Sequence, residues 1–449
     1  MNELLSLSPI DGRYLEKTKE LIDYFSEYAL IKYRVTIEIK WLLYLIDKQV
    51  IDEKINDEER NDIQSISNKF NLEDAKTVKQ IEKVTKHDVK SCEYFIQVKF
   101  QELKLERLIP FIHITLTSED VNNTSYNLMI KDGLVKYLDH LNTLIDIIED
   151  LADDYKKSPM MAHTHGQNAS PTTVGKEFKV FSYRLKSITN LLTNLKLRSK
   201  FSGSVGNFNA HIIAYPEVDW IKITKDFIEE QNLEYNPVTT QIESHDILCI
   251  LLSYIKVINN IIKDLNSDMW LYISRGYFKE KKQDLEVGSS VMPHKVNPIN
   301  HENSMANIEI SNSLIDALVN NLSISRMQRD LSDSSKLRNL GVIFSHSLIS
   351  IKETIIGLNK LEINEEELKN ELDNHYEVLT EAIQTVLRKN KVPKAYEQLK
   401  ELSRGKELTK EDIHKFVDKL NIPDNDKKIL LDLTPSKYLG LSTTIVDKN

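Results

Sequence analysis

The sequence predicts an all-α protein, and three observations predict it. Apolar residues recur at helical spacing in long runs, alternating strand patterns are few and short, and 449 residues contain only 12 Gly and 11 Pro. The first run is Leu21, Phe25, Tyr28, Ile31, Val35, Ile39, Leu42 and Ile46. Steps of three and four put these side chains on one helix face. The second run is Val174, Phe178, Phe181, Leu185, Ile188, Leu192 and Leu195. Its steps alternate four and three, the heptad spacing of a packed seam. Between Pro237 and Gly276 lie 38 residues without Gly or Pro. As one helix they would span roughly 57 Å; a break at Asn259-Asn260 is the alternative. A helix of that length needs neighbours along its course, which predicts a long bundle and association of subunits. The apolar ILCILL stretch (247–252) reads as buried helix.

Breakers and charge divide the chain into three segments. Residues 1–106 carry shorter helices and a charged stretch, 51–62, that suits a solvated helix face and its turns. Pro110 lies near the start of the long-helix segment, 107–358. Gly357 and the acidic stretch 362–374 mark the change to 359–449, which is broken at Pro393, Gly405, Pro423, Pro435 and Gly440. No internal repeat or low-complexity tract is present. A formal charge of −9 argues against nucleic acid as a partner, so any phosphate must be held by a local cluster of Arg and Lys. Cys92 and Cys249 are the only cysteines, which predicts no disulfide framework and fits a reducing cytoplasm. The opening MNELLSLSPIDGRY lacks a basic region followed by a long apolar one, so no signal peptide is expected. No uninterrupted apolar run approaches the roughly 18 residues of a membrane span.

Polar, breaker-rich segments hold the candidate chemistry. GSSVMPHKVNP (288–298) reads as a non-helical loop carrying Ser289, Ser290, His294, Lys295 and Asn297. These groups suit gripping a carboxylate and moving a proton; a polar surface loop is the plain alternative. MAHTHGQ (161–167) places His165 in a turn, where a ring near neutral pKa can face a cleft or simply face water. A His163/His165 metal pair is set aside, because no HExxH or Cys-rich partner set accompanies it. VTKHDVK (84–90) sets His87 beside Asp88 and after Lys86. A neighbouring acid can fix an imidazole tautomer, although adjacent helical residues often point apart. TSEDVNN (117–123) reads as a helix start, with Thr117 or Ser118 as cap and acids in the first turn. Such a start also binds carboxylates. Gln241, in VTTQIESHD (238–246), reads from the residues alone as a helix-surface amide. Neither GxxxxGK[ST] nor GxGxxG occurs, so a phosphate would need side-chain donors. SPIDGRY (8–14) offers Arg13 and Tyr14; RMQRDLSDSSKLRN (326–339) offers Arg329, Ser334, Ser335 and Arg338, or else a salt-bridged helix surface. GSVGNFNAH (203–211) reads as a structural turn.

In this order, from Ser8 to about Leu441, these segments resemble the fumarase/aspartase lyase superfamily, and His294 between Pro293 and Lys295 resembles its adenylosuccinate lyase branch. The resemblance implies a three-domain all-α fold whose central domains pool into one helix bundle in a homotetramer, with active sites shared between subunits. It implies a β-elimination that releases fumarate by C–N cleavage, from adenylosuccinate or from the succinyl form of aminoimidazole carboxamide ribotide. It implies Ser289 as base and His165 as acid. Thr117, Ser118, Gln241, Ser290, Lys295 and Asn297 would meet the carboxylates and the charge that develops on them. Arg13, Tyr14, Arg329, Ser334 and Arg338 would meet the phosphate. Lys86, His87 and Asp88 would bind substrate, with Lys86 standing where many relatives carry Asn. No metal and no organic cofactor is implied. Two rivals remain. Another fumarate-releasing lyase, such as argininosuccinate lyase, would not need the phosphate residues. A non-catalytic structural protein on this fold would not need Ser289 and His165 together.

Overall fold

The computed structural model describes residues 3–281, 291–292, 294–404 and 407–449. Among these, helices dominate as predicted, and the eight strands are two or three residues long and pair two by two. Seven long helices carry the architecture: α1 (Glu27–Asp47), α2 (Asp88–Glu102), α3 (Ser118–Asp154), α4 (Val174–Thr193), α5 (Asp246–Ser274), α6 (Ile299–Leu322) and α7 (Leu340–Lys360).

The first periodic run is not one helix. Ser26 is extended and caps α1, its hydroxyl accepting from the Ala29 N–H, so Leu21 and Phe25 lie before the break. The break lets Phe25 turn inward. A Cβ on Gly133 would come within 2.5 Å of its ring, and one on Gly341 within 2.8 Å of its own Cβ. Two glycines thus leave room for one aromatic, which stacks on Phe344 at 4.7 Å. The second run is α4 almost as expected, ending two residues short of Leu195. The 38-residue stretch is shorter than expected: α5 starts at Asp246, after His245 at φ 61. A left-handed residue cannot continue a right-handed helix, and breaker counting is blind to it. No break falls at Asn259-Asn260. Asn259 is buried, donates to Ser311 Oγ (3.2 Å) and Asn312 Oδ1 (3.0 Å), and accepts from Ser347 Oγ (2.5 Å). A fully satisfied amide costs the helix little.

The chain forms two compact units. The first comprises Met1–Leu141, Thr189–Asn259 and Asn307–Ser350; the second Asn142–Ile188, Asn260–Ala306 and Ile351–Asn449. In the first, Trp41 of α1 lies edge-on to Phe201 (4.9 Å) and Phe227 (5.0 Å), which fastens the 199–208 turn to α1. That turn holds Gly203 and Gly206 at φ 80 and 82; a side chain on Gly206 would strike the Thr239 carbonyl. The structural role expected for GSVGNFNAH is therefore observed. A buried ion pair fixes the start of α3. Asp120 Oδ1 lies 2.7 Å from Lys200 Nζ, both side chains have no exposed surface, and the carboxylate also accepts from the N–H groups of Thr117, Ser202 and Gly203.

In the second unit, a buried polar network joins α5, α6 and α7. Asn266 donates to Thr354 Oγ1 (2.8 Å) and accepts from His301 Nδ1 (2.6 Å). Burial pushes His301 down to about 4, so its ring stays neutral. The C-terminal helices close on their own core, with Leu379, Ile383, Leu387, Ile413, Val417 and Leu430 buried together.

Residues Ser332–Lys360 contain a window long and apolar enough to cross a membrane by length and composition, although 72% of that window is buried in the protein. Counting uninterrupted apolar residues misses it, because Ser345, His346, Ser347 and Ser350 interrupt the run while lying buried.

Candidate active site

The first unit gathers two charged clusters from residues the sequence singles out. The first centres on Asp88, at the start of α2. Arg34 of α1 reaches it at 2.7 Å with a side chain only 2% exposed, and Arg338 reaches the same oxygen at 3.3 Å. Burial alone would raise the Asp88 carboxyl; Arg34, the Val89 N–H and Arg338 outweigh it and hold the group below the usual range. Arg338 also donates to Ser334 Oγ at 3.1 Å, one helical turn back, and lies 3.7 Å from Glu27. Ser334, Arg338 and Asp88, far apart in sequence, thus stand together. A cleft of about 190 Å³ opens beside Arg338, between Glu27 and Tyr126.

His87 is the N-cap of α2. Its Nδ1 accepts from the Lys90 N–H at 3.2 Å, while Asp88 Oδ1 stays 3.9 Å away. The backbone, not the neighbouring acid, therefore sets the tautomer and leaves Nε2–H outward on an exposed ring. Lys86 closes the preceding helix in the left-handed region, φ 56. That conformation is one that Asn adopts more readily than Lys. The Lys86 side chain is exposed.

The second cluster lies at the start of α3. Glu119 is buried, with Oε2 3.0 Å from Arg329 NH1. Arg329 NH2 is 3.7 Å from Asp333 Oδ1, and the other Asp333 oxygen is 3.5 Å from His245 Nε2. Glu243 accepts from the His245 N–H at 2.7 Å. Burial pushes Glu119 up to about 7, against the pull of His245 and Arg329. For His245 burial opposes the proton, but Asp333, Glu119 and Glu243 together raise its affinity above the ordinary value. By type and spacing Glu119, His245 and Asp333 could hold a metal ion. The Arg329 guanidinium already supplies a cation to both carboxylates, and a second would be repelled.

Thr117 and Ser118, partly buried, sit beside this cluster. The loop before them is strained: His113 and Thr115 have φ 61 and 64, rare for any side chain and costly for a β-branched one. His113 bonded to Glu38 (2.6 Å) and the Ile114 carbonyl accepting from Trp41 Nε1 (3.2 Å) hold it there. Gln241 donates to the Ser204 carbonyl at 2.9 Å, which ties it to the 203–206 turn. Arg13 is exposed and Tyr14 half-buried on the Ser8–Tyr14 turn, where Tyr14 N–H meets the Pro9 carbonyl at 2.8 Å.

The second unit holds His165. Strands β1 (His163–Thr164) and β2 (Gln167–Asn168) pair antiparallel across two residues, His165 and Gly166, at φ 55 and 71. Two successive left-handed residues make the turn whose twist suits a tight hairpin. The turn puts the exposed His165 at the tip. His163 anchors the base: its Nε2 accepts from Arg275 at 2.9 Å and lies 3.5 Å from Glu371. Burial and Arg275 lower its proton affinity, and the same arginine excludes the metal pair. Lys295 and Asn297, exposed and half-buried, lead into α6. Ser289 and Ser290 lie outside the described residues.

Sequence reasoning missed Arg34, Glu119, Asp333 and His245 as members of these clusters. A signal existed for Arg34, a charge one turn from Leu30 and Glu38 on the buried face of α1. For His245 there was none, because its left-handed backbone is invisible in sequence.

Comparisons with known proteins bear on this arrangement. The family described as Lyase matches residues 12–309, and the one described as Adenylosuccinate lyase C-terminal matches 325–439. The chain is 46% identical to an adenylosuccinate lyase of Buchnera aphidicola subsp. Schizaphis graminum over 100% of its length and 99% of that protein's. It is 46% identical to one from Legionella pneumophila (strain Philadelphia 1), with 99% of both chains covered. It is 43% identical to that of Escherichia coli K12, over 100% and 99% of the two chains. Among solved structures it superimposes on a fumarate lyase from Mesorhizobium sp. BNC1 with a TM-score of 0.77, 17% identity and 96% of both chains covered. β-Carboxy-cis,cis-muconate cycloisomerase from Acinetobacter calcoaceticus sp. ADP1 gives 0.75 at 17% identity, with 96% of both chains covered. Both likenesses concern the fold.

Proposed function

The chain belongs to the adenylosuccinate lyase family of the fumarase/aspartase superfamily and is a C–N lyase, and from that premise we propose how its residues divide the reaction. Adenylosuccinate loses fumarate by β-elimination and leaves AMP; the succinyl aminoimidazole carboxamide ribotide is cleaved in the same way, both in purine nucleotide biosynthesis. The observation that carries the assignment is Arg338, held at once by Ser334 and Asp88, with Arg329 bracketed nearby in sequence. Side-chain guanidinium groups can hold a phosphate in a chain without a phosphate-binding loop. Arg13 and Tyr14 complete that set. Thr117, Ser118 and Gln241 face the substrate carboxylates, and Lys86, His87 and Asp88 bind the rest of the substrate.

The proton removed lies α to a carboxylate and is weakly acidic, so negative charge builds on the carboxylate oxygens during the reaction. Lys295, Asn297 and Ser290 stabilise it, and Ser289 is the base. A serine alkoxide needs nearby positive charge and exclusion of water. His165 gives its proton to the departing nitrogen. Purified protein with adenylosuccinate should form AMP and fumarate in equal amounts, followed by absorbance; formation of neither would end the assignment.

Three segments, 1–106, 107–358 and 359–449, assemble into a cytoplasmic homotetramer that pools its long helices and shares its sites between subunits. Support comes from exposed apolar residues on helix surfaces, Ile250, Val257 and Leu271 at heptad spacing on α5, and from two free, buried cysteines. Mixing Ser289→Ala with His165→Ala subunits should restore about a quarter of wild-type activity if the two residues come from different chains. Hybrid tetramers without activity would contradict the sharing.

A further inference from the structure

Arg329 is held in an unusual bracket, and the bracket is more than packing. Five titratable or charged groups meet there from three parts of the first unit. Glu119 comes from α3, Glu243 and His245 from the turn before α5, and Arg329 and Asp333 from the segment before α7. The Glu119, His245 and Asp333 side chains are at most 8% exposed. Three carboxylates face one guanidinium and one imidazole. With every acid ionised and the imidazole neutral, the group carries two net negative charges away from water. Each retained proton removes one of them. An anion arriving at Arg329 adds further negative charge at contact distance and strengthens the demand for a proton.

We infer that Glu119 and Asp333, backed by His245, are positioning residues for Arg329, and that this bracket takes up a proton when a phosphate binds to that arginine. The inference rests on the assignment of Arg329 to the substrate phosphate and adds how that site is set and gated. Glu119 grips one guanidinium nitrogen, Asp333 lies near the other, and His245 stands behind Asp333 at 3.5 Å. The remaining guanidinium hydrogens stay available to the ligand. His245 N–H donates to Glu243, which ties the third carboxylate to the same histidine. The sign is defined. Raising the pH removes protons from Glu119 and His245, adds negative charge beside Arg329, and weakens phosphate binding.

The test uses the intact enzyme and AMP, with adenosine as the probe that lacks phosphate. Calorimetry near pH 7.5 in two buffers of different ionisation heat counts protons taken up; AMP's own second proton, with pKa about 6, contributes little there. AMP should bind with proton uptake and weaken about tenfold between pH 7 and pH 9, a typical coupling between linked sites. Adenosine should show neither effect. Glu119→Gln imitates the protonated carboxyl and keeps an acceptor for Arg329, so its AMP affinity should fall less with pH than in the wild type, by the share that His245 alone supplies. Absence of both proton uptake and pH dependence in the wild type overturns the inference without any variant. So does a Glu119→Gln protein with the wild-type dependence. Arg329→Ala separates the two levels. If it binds AMP like wild type, the phosphate assignment itself fails; if it binds weakly while the proton measurements are flat, only the bracket's role fails.

Discussion

Replacing His165 by alanine is expected to lower kcat by about 10²–10⁴-fold, the contribution of a positioned general acid, while fold and assembly persist. His165 occupies the tip of the β1–β2 turn with an exposed ring, so its removal leaves no cavity. The hairpin is held from its other end, where His163 meets Arg275 and Glu371. Loss of kcat with an unchanged thermal midpoint and unchanged subunit assembly is the expected pattern. The matching variant at the base, Ser289→Ala, should behave alike. Near-normal turnover by His165→Ala, or its unfolding, would remove that residue from the acid role. Gly166→Ala is a useful partner, since φ 71 strains any side chain there and should mispoint the ring without deleting it.

The largest stability effect should come from Asp120→Ala. It strands the Lys200 ammonium, which has no exposed side-chain surface, and orphans the three backbone N–H groups the carboxylate accepts from. Breaking one partner of a buried pair costs about 3–5 kcal/mol. For a unit of this size that lowers the thermal midpoint by about 6 °C or more. Substituting both partners with apolar residues, Asp120→Leu with Lys200→Met, should recover part of the loss, because no charge is left buried. A single variant within about 1 kcal/mol of wild type in denaturant titration would show the pair to be far less consequential than its burial implies. The same carboxylate positions Thr117 and Ser118 through the Thr117 N–H, so Asp120→Ala should also weaken substrate binding before it unfolds the protein.

What the sequence could carry follows from which interactions are periodic and which are not. The helices α4 and α5 were legible because one face of each is apolar at regular intervals. Their limits were not, because Ser26 and His245 end or begin helices by backbone conformation and capping, which apolar spacing does not encode. Arg338 and Ser334, one helical turn apart, were singled out by the family resemblance, while the residues alone left a salt-bridged helix surface open. Their meeting with Asp88, 250 residues away along the chain, depended on the fold. Glu119 was read as an ordinary first-turn acid, favourable at a helix start. Only burial, outweighing the pull of His245 and Arg329, turns it into a group that holds a proton near neutral pH. Lys86 shows the reverse case, where a residue read as a candidate ligand sits on a left-handed backbone with an exposed side chain.

We propose that this lyase recognises its nucleotide phosphate through side chains, with Arg329 and Arg338 as the grip. The most direct measurement compares kcat/KM for adenylosuccinate with that for the same molecule lacking its 5′-phosphate. A bidentate guanidinium contact to a dianion, lost from ground and transition states alike, predicts a preference of about a hundredfold or more for the phosphorylated substrate. That preference should shrink in Arg329→Ala and in Arg338→Ala. Equal kcat/KM for the two substrates in the wild type would contradict the account.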